Sequence, residues 1–260
     1  MPFLKTPKQM EKPRIEDNNF TTYLFYTGKA KGQLKKEGLQ KTLNYVKYGE
    51  HKQIKVRRGS MKGKKVEGVI ELASFQKKFE RSPDSWYCLQ NNRLEMEKGE
   101  KGILIQKIFN SNYKLGFFSD ALMPNNTFYF IRIRKKFSED SEIILALLMS
   151  SLTMLCIELE GRTNFGGGAL DTATFDIKNI ILPRPSIFET QEKNKLKKAA
   201  QRLYSTKFGD LEKEIGKEAR KDIDSLIFAK INGQKKWNNE EFYGALKNIQ
   251  KSRTEKRKFR

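Results

Sequence analysis

Apolar positions along this chain fall into three patterns. Between residues 66 and 134 they form short runs, "VEGVIELA", "WYCLQ", "ILIQKIF", "YKLGFF" and "TFYFIRIR", rich in β-branched and aromatic residues. Turn formers separate the later runs, as in "NSN" at 110–112 and "PNN" at 124–126. Runs of this length and spacing predict strands of an antiparallel sheet. The longest apolar stretch, "IILALLMSSLTMLCI" at 143–157, is bounded by Glu142 and Glu158. It falls short of the roughly 20 apolar residues a spanning helix needs, so it predicts a buried core helix over about residues 139–160. Beyond residue 186 the pattern becomes charged and amphipathic, in "ETQEKNKLKKAAQRLYSTKFG" and "DLEKEIGKEARKDIDSLIFAKING". These predict helices, with Gly209 and Gly233 at their stops and a shorter helix over 239–250.

The flanking segments complete the expectation. Residues 1–19 read as a loose polar lead-in broken by Pro2, Pro7 and Pro13. "FTTYLFY" at 20–26 reads as a strand. Leu34, Leu39, Leu43 and Val46 predict helix in the first half of the segment 29–65, and "KVRRGSMKGKK" predicts a loop or hairpin in its second half. "TFDIKNIIL" at 174–182 reads as a closing strand ended by Pro183 and Pro185. The expected fold is α+β: a mixed, mainly antiparallel sheet packed on a core helix, followed by a helical C-terminal module. The expected division is 1–185, a β-rich domain with a basic N-terminal segment, and 186–260, the helices.

Composition sharpens this picture. The hydrophobic fraction is low, 37 %, yet 18 Phe, 9 Tyr and 2 Trp argue for a folded chain beneath a charged surface. The formal net charge of +21 exceeds what solubility needs, and its sign points to a polyanion. Nucleic acid comes first, because Lys and Arg that neutralise phosphates release counterions; a membrane surface comes second, and Lys-rich codon usage is the neutral explanation. The segment 29–65 holds 13 Lys and Arg against only Glu37 and Glu50, and duplex binding requires such cations to gather on one face. Two separated cysteines, Cys88 and Cys156, and a single histidine, His51, argue against a structural zinc site. Lone thiols and a polar, charged start suit the cytoplasm.

Several motifs invite a catalytic reading. "NFGGG" at 164–168 resembles a methyltransferase cofactor loop, but a long apolar helix precedes it and no βαβ units surround it. Two readings stay open: a turn that lets backbone approach a phosphate beside Arg162, or a helix C-cap followed by a tight turn. "GSMKGKK" at 59–65 has the wrong spacing for a Walker loop and survives as a flexible cationic loop. Pro83–Asp84 followed by "LEMEK" suggests a nuclease, but Met96 stands where the second carboxylate belongs. A restriction endonuclease with an unrecognised metal-dependent carboxylate site is the alternative function. No Pro-Pro pair occurs, so the Asn-Pro-Pro-Tyr type of loop that serves a flipped base is absent from the sequence.

The series "WYCL", "ILIQKIFN", "GFFSDALMPNNTFYFI", "ALLMSSLTMLCIELEGR", "FGGGALDTATFDIKNIILP" and "ARKDIDSLIFAKIN" resembles the C-terminal target-recognition region of adenine-specific DNA methyltransferases of the type II and IIG restriction–modification class. The resemblance implies sequence-specific double-stranded DNA binding, with the glycine loop in the recognition domain and not at a cofactor. It implies no cofactor in this chain, and S-adenosylmethionine in a methyltransferase catalytic subunit or domain. The chain then reads as a non-catalytic specificity subunit or a piece of a larger enzyme, with no membrane partner. Lys55, Arg57, Arg58, Lys62, Lys64 and Lys65 are expected to position phosphates. Lys107, Asn126 and Arg162 follow from the resemblance as further DNA contacts.

Overall fold

A computed structural model describes the whole chain except residues 1, 17–19, 21, 26, 58–60, 89–101, 119–121, 164–167, 233–237 and 256–260. Two compact units emerge: Met1–Tyr23 with Met96–Arg260, and Leu24–Glu95. Residue 185 therefore falls inside the larger unit.

In the smaller unit, helices α1 (Lys31–Lys36) and α2 (Gln40–His51) lead into a hairpin of β2 (Gln53–Lys55) and β3 (Lys65–Glu67), followed by α3 (Ala73–Arg81). Leu34, Val46, Trp86 and Tyr87 form its core, packed by Phe25, Val69, Phe75 and Phe79. Glu50 fixes that core from the rim: it accepts from Trp86 Nε1 at 2.7 Å and pairs with Lys31 at 2.5 Å. Among the described residues one expected strand is cut short and another is not formed. "VEGVIELA" supplies β3 but then turns into a single 3-10 turn and α3, and the described part of "WYCLQ" is a turn. Aromatic residues there fill a helix-lined core, so packing overrides β propensity.

The larger unit is built on a three-stranded antiparallel sheet, with β4 (Gly102–Gln106) between β6 (Leu115–Phe118) and β8 (Phe128–Arg132). All five β4 residues are buried, because both sheet faces are covered. Ile103 and Ile105 enter a large core shared with the helices, while Leu104 enters a second core with Leu4, Met10, Phe118 and Phe128. A Cβ at Gly102 would stand 2.5 Å from the Phe130 ring and 2.6 Å from that of Phe118, so only glycine lets these rings meet over the strand end. Two-residue strands complete the pattern: β1 (Phe3–Leu4) runs parallel to β7 (Met123–Pro124), and β5 (Ile108–Phe109) pairs antiparallel with β9 (Leu170–Asp171). The architecture is α+β, as expected, with more of the chain in helix than in strand.

The lead-in is not loose. Pro7 opens a short 3-10 turn, Pro7–Gln9, and the segment's carbonyls anchor it to the sheet: Lys114 Nζ donates to those of Pro7 (3.0 Å) and Met10 (2.8 Å), and Phe117 N–H donates to that of Pro13. Of the strand expected at 20–26, the described residues keep only a bridge between Tyr23 and Pro2.

The predicted core helix is two helices, α4 (Ser141–Leu148) and α5 (Ser151–Glu160), bent by 60°. Ser150 causes the break, its backbone extended (ψ 162°) and its hydroxyl donating to Leu147 O at 2.6 Å. Helix α9 (Glu218–Ile231) satisfies the freed groups: Arg220 donates to Met149 O, and Asp224 accepts Ser151 N–H at 2.8 Å. No single helix among the described residues is long and apolar enough to cross a membrane. The segment expected as a closing strand forms α6 (Thr174–Lys178), where Asp176 turns back to accept Ala173 N–H at 2.6 Å. The helices expected after residue 186 are formed: α7 (Thr190–Tyr204), α8 (Leu211–Ile215), α9 and α10 (Asn239–Glu255). They share one apolar core with the sheet.

Helix α10 is locked down by a buried ion pair. Arg253 reaches both Glu158 oxygens, at 2.7 and 2.9 Å, and donates to Asn110 O at 2.8 Å and to Gly168 O. Tyr113 donates to the same carboxylate. Removing one partner of a buried pair strands the other charge, at about 3–5 kcal/mol. Arg253→Ala should lower the unfolding free energy in urea by that amount.

Asp224 gives a pH test. It is fully buried and accepts from Ser151 N and, at 2.8 Å, from Tyr243 Oη; burial pushes its pKa above the ordinary 3.8 despite these bonds. A raised carboxyl pKa contributes stability that is complete below 3.8 and is lost as pH rises through the folded value. Asp224→Asn cannot titrate. Measured by urea unfolding, the stability of the wild type relative to this variant should be greatest below pH 3.8 and fall as the pH is raised.

Candidate nucleic-acid interface

The smaller unit carries 17 Lys and Arg against seven Asp and Glu, so +10 of the total +21 resides in 72 residues. Its hairpin concentrates that charge. Gln53 faces Glu67, Ile54 faces Val66 and Lys55 faces Lys65. Val66 is buried, so the alternate positions, including Lys55 and Lys65, point outward. Like charges directly opposite one another destabilise a strand pair. The hairpin nonetheless closes through Val56 N to Lys64 O (2.9 Å) and Gly63 N to Val56 O (2.8 Å), with Gly63 at φ 89°.

Lys55, Arg57, Lys62, Lys64 and Lys65 are all exposed. None of them forms an ion pair with a described carboxylate. The structure thus gathers five of the six residues expected to meet phosphates on one hairpin; Arg58 lies outside the described residues. Helix α2, which enters the hairpin, adds Lys41, Lys47 and Lys52 with two exposed tyrosines, Tyr45 and Tyr48. The sequence reading missed these tyrosines, although their three-residue spacing within a Lys-rich helix was a usable signal.

Lys107, Asn126 and Arg162 belong to the larger unit, at one corner of its small strands. Lys107 follows β4; its N–H donates to Thr127 O and its ammonium lies 4.9 Å from the Tyr129 ring. Asn126 is exposed in the turn before β8, its N–H held by Asn125 Oδ1. The Lys107 carbonyl accepts from Thr172 N and Oγ1, one residue beyond the Asp171 that bridges Arg162. Arg162 is committed within the fold. One nitrogen spans both oxygens of buried Asp176, at 2.9 and 3.0 Å, and the guanidinium lies 4.6 Å from the Phe175 ring. Asp176 is the residue that sequence reasoning did not connect to it.

Of the glycine loop, only Gly168 lies within the described residues. Its φ is 69°, and a Cβ there would stand 2.9 Å from Arg253 O and 3.0 Å from Thr254 Cα. This glycine permits the close approach of helix α10. Helix α5 ends two residues before Arg162 with Gly161 donating to Ile157 O at 2.9 Å. No group of three or more His, Cys, Asp or Glu among the described residues is placed to hold a metal ion; the "LEMEK" segment lies outside them.

Residues 97–217 match the family model for the type II methyltransferase M.Eco57I, C-terminal domain. The resemblance to type II methyltransferases holds. A solved structure described as that of the type IIG restriction endonuclease BpuSI shares the fold, with a TM-score of 0.59 over 98 % of this chain and 14 % identity. This chain spans 26 % of that one, about a quarter of its length. No curated protein matches the sequence.

Since Arg162 neutralises a buried carboxylate, Arg162→Ala should act first on stability. Leaving Asp176 without its charged partner should cost about 1–3 kcal/mol. Thermal unfolding of the variant without DNA checks this; an unchanged midpoint would return Arg162 to the set of uncommitted cations.

Proposed function

We propose that this chain binds double-stranded DNA sequence-specifically, as the target-recognition part of an adenine-specific DNA methyltransferase or restriction–modification assembly. The observation that carries the reading is the hairpin 53–67, whose cations lack described acidic partners and include a directly opposed pair, Lys55 and Lys65. Phosphates placed there would relieve repulsion as well as add attraction. The match of residues 97–217 to a methyltransferase C-terminal domain supports the assembly.

The proposed division of labour follows from the chemistry. The hairpin positions the duplex through its backbone, which carries affinity and little sequence information. Asn126 offers an amide of the kind that pairs with adenine edges, and Lys107 a donor suited to guanine. S-adenosylmethionine and the methyl transfer belong to a catalytic subunit or domain, with no cofactor held by this chain. We place the protein in the cytoplasm, which suits its two free cysteines, Cys88 and Cys156.

A duplex-binding titration across a range of salt concentrations tests this reading. Replacing Arg57, Lys62 and Lys64 with Ala should flatten the slope of log K against log salt by about 0.9 per lost phosphate contact, roughly 2.7 if all three are made. A wild-type chain with no duplex affinity, or a variant with an unchanged slope, would overturn it.

A further inference from the structure

The outward face of α2 is built differently from the hairpin that it feeds. Leu43 and Val46 point into the core. On the other side Lys41, Tyr45, Tyr48 and Lys52 follow one another at helical spacings of four, three and four residues. Tyr45 is 56 % and Tyr48 54 % exposed. Single exposed aromatics are ordinary on any surface; these two adjoin each other and are held in place. Tyr45 leans on Phe25, with ring centroids 4.9 Å apart, and its centroid lies 6.3 Å from that of Tyr48 at an interplanar angle of 34°. The Lys52 ammonium sits 4.9 Å from the Tyr48 ring.

The carboxylate of α2 is turned away from this face. Glu50 is occupied by Lys31 and Trp86 at the core's rim. Glu67 of the hairpin stands 3.8 Å from His51 at the end of the face, where a shallow depression of about 410 Å³ is lined by Asn44, Lys47, Tyr48, His51 and Lys52.

A duplex buries the flat faces of its bases in its own stack and shows proteins only edges and phosphates. Two braced, tilted phenol rings among ammonium groups offer flat faces to a ligand that has them free. The geometry points to α2 as a stacking platform for unpaired nucleotides: Tyr45 and Tyr48 take exposed bases of a locally opened or single strand, while Lys41, Lys47 and Lys52 meet its phosphates. This inference extends the DNA-binding reading, adding a strand-opened substrate beside the duplex gripped by the hairpin.

Fluorescence anisotropy of the full chain on three probes decides it: an intact duplex, the same duplex with a three-nucleotide internal loop, and an oligothymidine single strand. The wild type should prefer the looped probe to the intact duplex. Stacking is worth about 5- to 150-fold per base. Tyr45→Ala with Tyr48→Ala should therefore weaken looped and single-stranded binding by at least tenfold and leave intact-duplex affinity within about twofold. Tyr45→Phe with Tyr48→Phe keeps the rings and should restore the loop preference. Thermal unfolding confirms that the variants remain folded.

Equal losses on all three probes, or none, would overturn the platform. A phenylalanine pair as weak as the alanine pair would do so too, since hydroxyl contacts and not rings would then be responsible. So would an effect confined to association with a protein partner. Duplex binding that survives without loop preference defeats this inference alone; binding of looped DNA without duplex affinity upholds it and defeats the recognition reading.

Discussion

The Glu158–Arg253 contact ties together parts of the larger unit that sequence separates widely. Arg253 lies near the end of the last helix, Glu158 in α5, Asn110 in the turn after β5, and Gly168 at the edge of β9. One guanidinium and one carboxylate thus join helix, turn and loop at a single buried point. Apolar packing alone would hold α10 against the core but leave its rotation and register weakly defined. The ion pair has directional partners on three sides, and Gly168 has no side chain to keep α10 away. A second polar centre works in the same way at the α4–α5 break, where Arg220 and Asp224 take the backbone groups that the bend releases. Both centres exchange desolvation cost for a defined arrangement of helices around the sheet.

Much of the larger unit was legible in the sequence because its strands and late helices obey their own periodicities. "ILIQ", "LGFF" and "FYFIR" are strands, and the charged amphipathic segments after residue 186 are helices. The failures share a cause. Short apolar runs have no periodicity that separates strand from helix, so "TFDIKNIIL" read as a strand although Asp176 starts a helix by capping it. "MSSLT" read as helix interior although two serines and Asp224 stop one helix and start the next. In each case the deciding bond is a side chain meeting backbone, in the second case 73 residues away. The proline-rich lead-in misleads in the opposite sense: its prolines read as breakers of structure, yet Pro7 opens a 3-10 turn and the segment's carbonyls accept from Lys114 and Phe117.

The hairpin was the clearer part of the candidate interface. Its cations stood together in the sequence, and short glycine-punctuated segments place neighbours side by side. Lys107, Asn126 and Arg162 came from the resemblance, and the fold collects them around β5 and β9. What sequence could not convey was occupancy: Arg162 has an internal carboxylate to serve, whereas Lys55, Arg57, Lys62, Lys64 and Lys65 have none among the described residues. Charge counts are readable from composition, but whether a cation remains available is a property of the folded chain.

The opposed lysines of the hairpin carry a consequence for how ionic conditions act on this protein. In the free chain, mobile anions shield Lys55 from Lys65 and help the two strands stay paired. On the proposed reading, the ions released when a polyphosphate docks there are the cations condensed on that chain, and added salt opposes their release. Added electrolyte would then firm the empty hairpin while weakening the proposed phosphate contact, so that folding and binding would answer the ionic medium in opposite directions through one pair of side chains.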